Sequence, residues 1–436
     1  MANIYNYLKS ASLRISNLKD PQVFIYLLAI ILLAIPLKYI FGSISCILFL
    51  LVAFSSLHKI KFNFNKALLL PVLLYLLMLI SLTWTRDFDA TVSGLQKEVL
   101  FFLIPMAFLF VPNLSKVKID KVFRIYGFGM VFYALFYFGN AILKFITTGN
   151  KLVFFYHELV TLDLNAIYVA VFASFAMFYF IALDNKKLPE QISIFILAVF
   201  IFLLSSKSII FIDFVLIICF YIYYSDTKKS VKFVTIASVA TFLLFSLIFV
   251  KQIRERFLIE YETAFVDNTV NQNDSSISNI SLNQAWNNDA FNPSQYFPGG
   301  ALRVYQIRIF KEMLQEENVL FTGFGLEASQ HKIKEKQKEH NLHEGYGTFN
   351  FHNQYVQTFA ELGLFGFLIL VTMMVLNIKK AISDKNFLHI VFSLTMIILF
   401  LTESFFCRQR GIVFFIILYC MFNVVDSSRK GQMINS

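Results

Sequence analysis

An arginine in the first turn of a helix, just after a pair of glycines, is well suited to hold a phosphate. Arg303 follows Gly299-Gly300, and Leu302, Tyr305, Ile309, Met313 and Leu314 recur at helical spacing, so the pattern predicts a helix over 301–317 with Arg303 in its first turn. A helix N-terminus exposes unpaired N–H groups and the positive end of its dipole, and the guanidinium adds a planar, bidentate, permanent cation. A solvated surface arginine produces the same pattern. His352 sits in Phe349-Asn350-Phe351-His352-Asn353-Gln354-Tyr355, directly before an apolar run. A partly desolvated imidazole there suits a general base near neutral pH; an interfacial histidine with a satisfied hydrogen bond is the alternative.

Other cations fall near the ends of apolar runs. Lys207 occupies the short connection Leu204-Ser205-Ser206-Lys207-Ser208, where it can meet a lipid-linked phosphate or snorkel to lipid headgroups. Arg86, in Trp84-Thr85-Arg86-Asp87, and Glu403, Arg408 and Arg410 lie at similar ends. Asp213 is an acid inside an apolar run and needs a partner, for which Lys207 and Lys97 are candidates. His331, His340 and His343 lack metal-ligand spacing, and Cys46, Cys219, Cys407 and Cys420 form no metal-type pair, so neither zinc nor a disulfide is expected. No phosphate-binding Gly-rich loop, His-Glu-x-x-His or Gly-x-Ser-x-Gly is present, against an ATPase, a zinc protease or a serine hydrolase. What remains is chemistry on an anionic, lipid-borne substrate.

The elements that must position these residues are membrane helices. Of the 436 residues, 57% are hydrophobic and 15% charged, with 53 phenylalanines, too little polar surface to cover a soluble globule. Apolar runs long enough to span a bilayer occur at 22–36, 39–57, 67–84, 92–111, 122–146, 164–183, 192–206, 209–224, 231–250, 356–378, 387–405 and 411–425. The fold expected is therefore an all-α polytopic membrane protein of about twelve transmembrane helices. The N-terminus does not read as a cleavable signal peptide, because some twenty polar and basic residues precede the first run and no small-residue cleavage pattern follows it.

The net charge of +10 is explained by topology rather than by nucleic acid, which is not an expected partner. Basic residues fill every second loop: Lys9, Arg14 and Lys19; Lys59, Lys61 and Lys66; Lys116, Lys118, Lys121 and Arg124; Lys186 and Lys187; Lys228, Lys229 and Lys232; Lys379, Lys380 and Lys385; Arg429 and Lys430. Both termini are then cytoplasmic, in what reads as a bacterial inner membrane, among its lipids. Three parts follow: about nine membrane helices in 1–250, one large periplasmic loop in 251–355 containing short helices, and about three membrane helices in 356–436. Within the loop, 267–298 is rich in Asn, Ser and Gln and reads as a mobile segment or lid. Gly323-Phe324-Gly325 marks a turn, and 331–339 a solvated helix.

Ala301-Leu302-Arg303-Val304-Tyr305-Gln306, Leu320-Phe321-Thr322-Gly323-Phe324-Gly325, Phe351-His352-Asn353-Gln354-Tyr355 and Glu361-Leu362-Gly363-Leu364-Phe365-Gly366 together resemble the O-antigen ligase and O-antigen polymerase superfamily in order, spacing and position between membrane runs. The resemblance implies an inverting glycan transfer on the periplasmic face with no metal or other cofactor. The donor it implies is a glycan on undecaprenyl diphosphate, and the acceptor is a hydroxyl, of lipid A core in a ligase or of another lipid-linked glycan in a polymerase. By position, Arg303 would hold the diphosphate and His352 would activate the hydroxyl. Lys207, Arg86, Asn353 and Arg408 are expected to bind substrate beside them. Many members carry Ser-Arg where this chain has Ser206-Lys207, which keeps the charge and loses the bidentate fork, and Glu327 stands where relatives often place Asp. His157 resembles part of a His-Pro pair whose proline is absent.

The favoured reading is a ligase, because one late loop dominates; a polymerase and, from another class, a transporter of lipid-linked glycan are the rivals. Gly363 and Gly366 are expected to let their helix pack closely against a neighbour and so fix His352.

Overall fold

The computed structural model describes residues 21–55, 65–112, 114–160, 164–271 and 276–424. Lys9, Arg14, Lys19, Lys59, Lys61, Arg429 and Lys430, used above to orient the chain, lie outside the described residues. The chain is overwhelmingly helical. Its first half comprises α1 (Pro21–Ala34), α2 (Tyr39–Phe54), α3 (Leu69–Ile80), α4 (Phe88–Glu98), α5 (Leu100–Phe108), α6 (Lys116–Thr148), α7 (Tyr156–Leu159), α8 (Ala166–Ile181), α9 (Leu188–Leu203), α10 (Lys207–Tyr223) and α11 (Lys229–Phe249). Then come α12 (Lys251–Phe265), a small hairpin of β1 (Thr269–Val270) and β2 (Ser278–Asn279), α13 (Leu282–Asn287), α14 (Gly299–Glu316) and α15 (Ser329–Glu339). The chain closes with α16 (Gln354–Ser383), α17 (Phe387–Leu399) and α18 (Gln409–Val424).

Four stretches among the described residues are long and apolar enough to cross a membrane: Lys66–Thr83, Phe88–Phe108, Lys116–Thr148 and Gln354–Ser383. The shorter apolar helices α1, α2, α8, α9, α17 and α18 accompany them. All contribute to one core, in which α8 and α18 are buried along nearly their whole length. Helices apolar on every side belong at the centre of such a bundle, because neither lipid nor water is offered a polar face. Phenylalanine fills that core edge to face: Phe101 meets Phe406 at 4.8 Å, and Phe175 meets Phe414 at 5.9 Å.

Because the helices alternate in direction, their ends form two sets. Lys116, Asp120, Asp184, Lys186, Asp226 and Lys385 line one cavity of about 640 Å³ at one end of the bundle. The starts of α10 and α16 and the ends of α3 and α17 lie at the other, where 251–353 docks.

That docked segment has a core of its own, built from Ile280, Phe291, Phe297, Ala301, Tyr305, Ile309, Met313, Phe324, Ile333 and Phe351. The described part of 267–298, read above as mobile, is folded into it. Ser281 and Gln284 cap α13 reciprocally, with the Gln284 N–H donating to Ser281 Oγ at 3.0 Å. Ile280, Phe291 and Phe297 supply the anchors. They are few among the Asn and Ser residues, so composition hides them.

The Gly323-Phe324-Gly325 turn and Gly363 explain one another. Gly363 has φ +66° and ψ −164° and breaks α16. That break releases helix carbonyls, and the turn uses them: the Phe324 N–H donates to Ala360 O at 2.8 Å and the Gly325 N–H to Glu361 O at 2.9 Å. In exchange, the Leu364 N–H donates to Leu320 O at 2.9 Å. A Cβ on Gly363 would collide with Phe321 O. The close neighbour is therefore a turn of the loop, not a second membrane helix. Trp84 Nε1 donates to Thr322 O at 2.9 Å, and Thr91 Oγ1 to Leu326 O at 2.8 Å, so the same turn is fastened to α4 as well.

Candidate functional site

The connection between α17 and α18, residues 400–408, is the template on which the site is built. Gln354 N–H donates to Phe400 O at 2.8 Å, Asn353 N–H to Ser404 Oγ at 3.2 Å, and Phe406 N–H to Gln354 Oε1 at 2.7 Å. These bonds pin the start of α16 against the connection. Asn353 caps the helix, its Oδ1 accepting from the N–H groups of Tyr355 and Val356. His352, one residue earlier, has φ +46°, a left-handed conformation held by an Asx turn in which its N–H donates to Asn350 Oδ1 at 2.9 Å. The strained backbone aims the imidazole out of the helix axis and toward the connection.

Arg303 reaches the same connection from α14, which begins at Gly299, two residues earlier than expected, so that Arg303 opens its second turn. Its Nε donates to Thr402 O at 2.8 Å, its Nη1 to Gly299 O at 2.9 Å, and its Nη2 to Glu403 Oε1 at 3.0 Å. A guanidinium has five N–H donors, so two remain beyond these three bonds. The second oxygen of Glu403 lies 3.9 Å from His352 Nδ1, within ion-pair range but beyond a hydrogen bond. Arg303, Glu403 and His352 thus form one cluster, half-buried at the guanidinium and the imidazole and buried at the carboxylate.

A second carboxylate stands at the beginning of α14. Glu260 Oε2 accepts from the Gly300 N–H at 2.8 Å, and Glu260 Oε1 accepts from Lys207 Nζ at 2.6 Å. Lys207, the first residue of α10, also donates to Arg256 O at 3.1 Å. Burial alone would raise the Glu260 carboxyl, but the charge and hydrogen bond of Lys207, the Gly300 N–H and nearby Arg303 together hold it below the ordinary glutamate range. Arg256 lies 3.5 Å above the Tyr156 ring, next to His157, whose imidazole is pushed down by burial and by the Arg256 charge. His157 itself accepts from the Ala166 N–H at 3.4 Å, which ties it to the start of α8.

Of the residues singled out above, the structure brings Arg303, His352 and Lys207 to one end of α14. Asn353 is adjacent, its oxygen engaged by the helix end. Arg408 is exposed, five residues beyond Glu403 on the connection. Arg86 lies elsewhere: its Nη2 pairs with Glu317 at 2.9 Å, at the far end of α14 and about 21 Å from Arg303 along the helix. Asp213 meets Ser174 rather than Lys207 or Lys97. Lys97 instead pairs with Glu327, and Arg410 is buried as an anchor, donating to the carbonyls of Ile35 and Leu37.

Sequence reasoning missed Glu260 and Arg256 and gave Glu403 little weight. The signal for Glu260 was its place on an amphipathic stretch, 251–265, that continues as helix beyond the membrane run. For Glu403 it was an acid among apolar residues at the end of a run, which requires a partner. Among the described residues, no group of three or more His, Cys, Asp and Glu side chains is placed to hold a metal ion.

No curated protein matches the chain. The O-antigen ligase family model matches residues 192–371, which run from α9 into α16 and carry Lys207, Glu260, Arg303 and His352, and that match supports the likeness of this part of the chain to the O-antigen ligase superfamily.

Proposed function

We propose that the chain is a membrane glycosyltransferase of the ligase type, moving a glycan from undecaprenyl diphosphate to an acceptor hydroxyl, that of lipid A core, on the periplasmic face. The observation that carries this reading is the convergence of Arg303, Lys207 and the N-terminus of α14 beside His352, at the bundle end opposite the basic loops. The positive-inside rule makes that end extracytoplasmic.

The chemistry follows from the groups. His352 removes the proton from the acceptor hydroxyl through Nε2, since Nδ1 faces Glu403, and the freed oxygen attacks the anomeric carbon from the side opposite the diphosphate. As the new C–O bond forms, the bond to the diphosphate oxygen breaks, and the negative charge gathers on the leaving lipid diphosphate. Arg303 and Lys207 stabilise that charge where it develops. Glu403 stabilises the imidazolium that results and holds the guanidinium in register. The attack inverts the anomeric centre, and each proton and electron pair is accounted for without a metal or nucleotide.

Polymerase activity shares every one of these steps and differs in the acceptor. Deleting the gene and separating lipopolysaccharide on a gel tells them apart. Loss of all long-chain material from lipid A core, with lipid-linked polymer accumulating, supports the ligase. Caps of a single repeat unit in its place show a polymerase.

A further inference from the structure

The helix that leads out of α11 imitates the substrate assigned above. In α12, Ile253, Phe257 and Glu260 fall at i, i+4 and i+7 and so share one face. Ile253 and Phe257 close a crevice of about 170 Å³ against Phe202 of α9 and Ile210, Phe211 and Phe214 of α10, with Lys207 at its rim. One turn beyond Phe257, the Glu260 carboxylate is held by Lys207 Nζ at 2.6 Å and the Gly300 N–H at 2.8 Å. Arg303 is its neighbour, for a Cβ built on Gly299 would meet both Arg303 Nη1 and Glu260 Oε1 at 3.0 Å. Apolar groups in a crevice, continued by an anion on a lysine, an arginine and a helix N-terminus, follow the order of groups in an isoprenoid diphosphate.

We propose that α12 is a displaceable lid that competes with the lipid diphosphate for its own seat. Glu260 leaves Lys207, Gly300 and Arg303 when the diphosphate arrives, and Ile253 and Phe257 withdraw so that the isoprenoid chain lies in the crevice beside α10. A carboxylate carries one charge and a diphosphate at least two, so the substrate prevails where a singly charged lipid does not. The lid therefore sets a charge threshold for the donor.

This inference rests on the donor reading, and one experiment separates the two. Farnesyl diphosphate is titrated into the purified full chain in detergent micelles, for the wild type, Glu260→Gln, and each combined with Arg303→Ala. The lid predicts that Glu260→Gln binds roughly tenfold tighter than wild type, the gain expected from removing one charge-assisted competitor. A gain of affinity is not an effect that misfolding produces. Equal or weaker binding by Glu260→Gln, with binding still dependent on Arg303, overturns the lid and leaves the seat standing. Binding that ignores Arg303→Ala in both backgrounds overturns the seat, and the lid with it.

Discussion

Arg303 and His352 flank a single carboxylate: Glu403 accepts from Arg303 Nη2 at 3.0 Å through Oε1, and its Oε2 lies 3.9 Å from His352 Nδ1. The two residues are separated by nearly fifty positions in the chain, and the connection between α17 and α18 brings them together. A carboxylate so placed keeps the guanidinium from turning away and sets a negative charge beside the imidazole.

Glu403→Gln preserves shape and removes the charge. Glycan transfer is expected to fall about a hundredfold, the scale of an impaired general base. The pH at which kcat is half-maximal is expected to move as well, which a purely structural role would not cause. An unchanged pH profile would assign Glu403 to scaffolding alone.

Arg86→Ala tests the opposite expectation. The side chain is mostly exposed and pairs with Glu317 at the far end of α14, so its removal is expected to change transfer by no more than about twofold, as exposed ion pairs contribute little. A loss comparable to that of Arg303→Ala would return Arg86 to the substrate site.

How much of this was legible beforehand depends on the kind of contact. Arg303 and His352 announced themselves because a Gly-Gly-led helix and an aromatic-flanked histidine are local patterns. The apolar runs announced the bundle for the same reason. Glu260 could not be placed, since its partners Lys207 and Gly300 lie 53 and 40 positions away and no local spacing encodes them. A helix end shows which side a residue occupies but not where on that side it lies, so sequence alone does not separate Arg86 from the site. The Asn- and Ser-rich stretch looked unanchored because three aromatic and aliphatic anchors are diluted below any periodicity.

Gly363→Ala is expected to damage the fold. The residue sits at φ +66°, ψ −164°, and an added Cβ would strike Phe321 O. Strain and clash together are expected to cost at least about 3 kcal/mol, read as a lowered melting temperature in detergent, with loss of transfer in step. Wild-type stability would mean that the turn and the kink are not mutually dependent.

Acid is expected to loosen the segment that carries Arg303. His340 is buried, its Nδ1 3.1 Å from Tyr305 Oη on α14, and burial lowers it from its ordinary value of 6.5, with Glu312 opposing only in part. A group lowered in this way is protonated first in the unfolded chain. Its contribution is therefore full above about pH 6.5 and lost as the pH falls from there toward the lower folded value. Hydrogen-exchange protection of α14 amides should drop between pH 7.5 and 5.5, and His340→Gln should flatten that difference. An identical drop in the variant would assign it to other groups.

The most direct measurement is glycan transfer in liposomes, using a purified undecaprenyl-diphosphate-linked donor and a lipid A core acceptor. Wild-type protein should form the joined product, and Arg303→Ala and His352→Ala should each abolish it while inserting normally into the membrane. Product at the wild-type rate from either variant, or glycan crossing the bilayer with no product formed, would contradict the account.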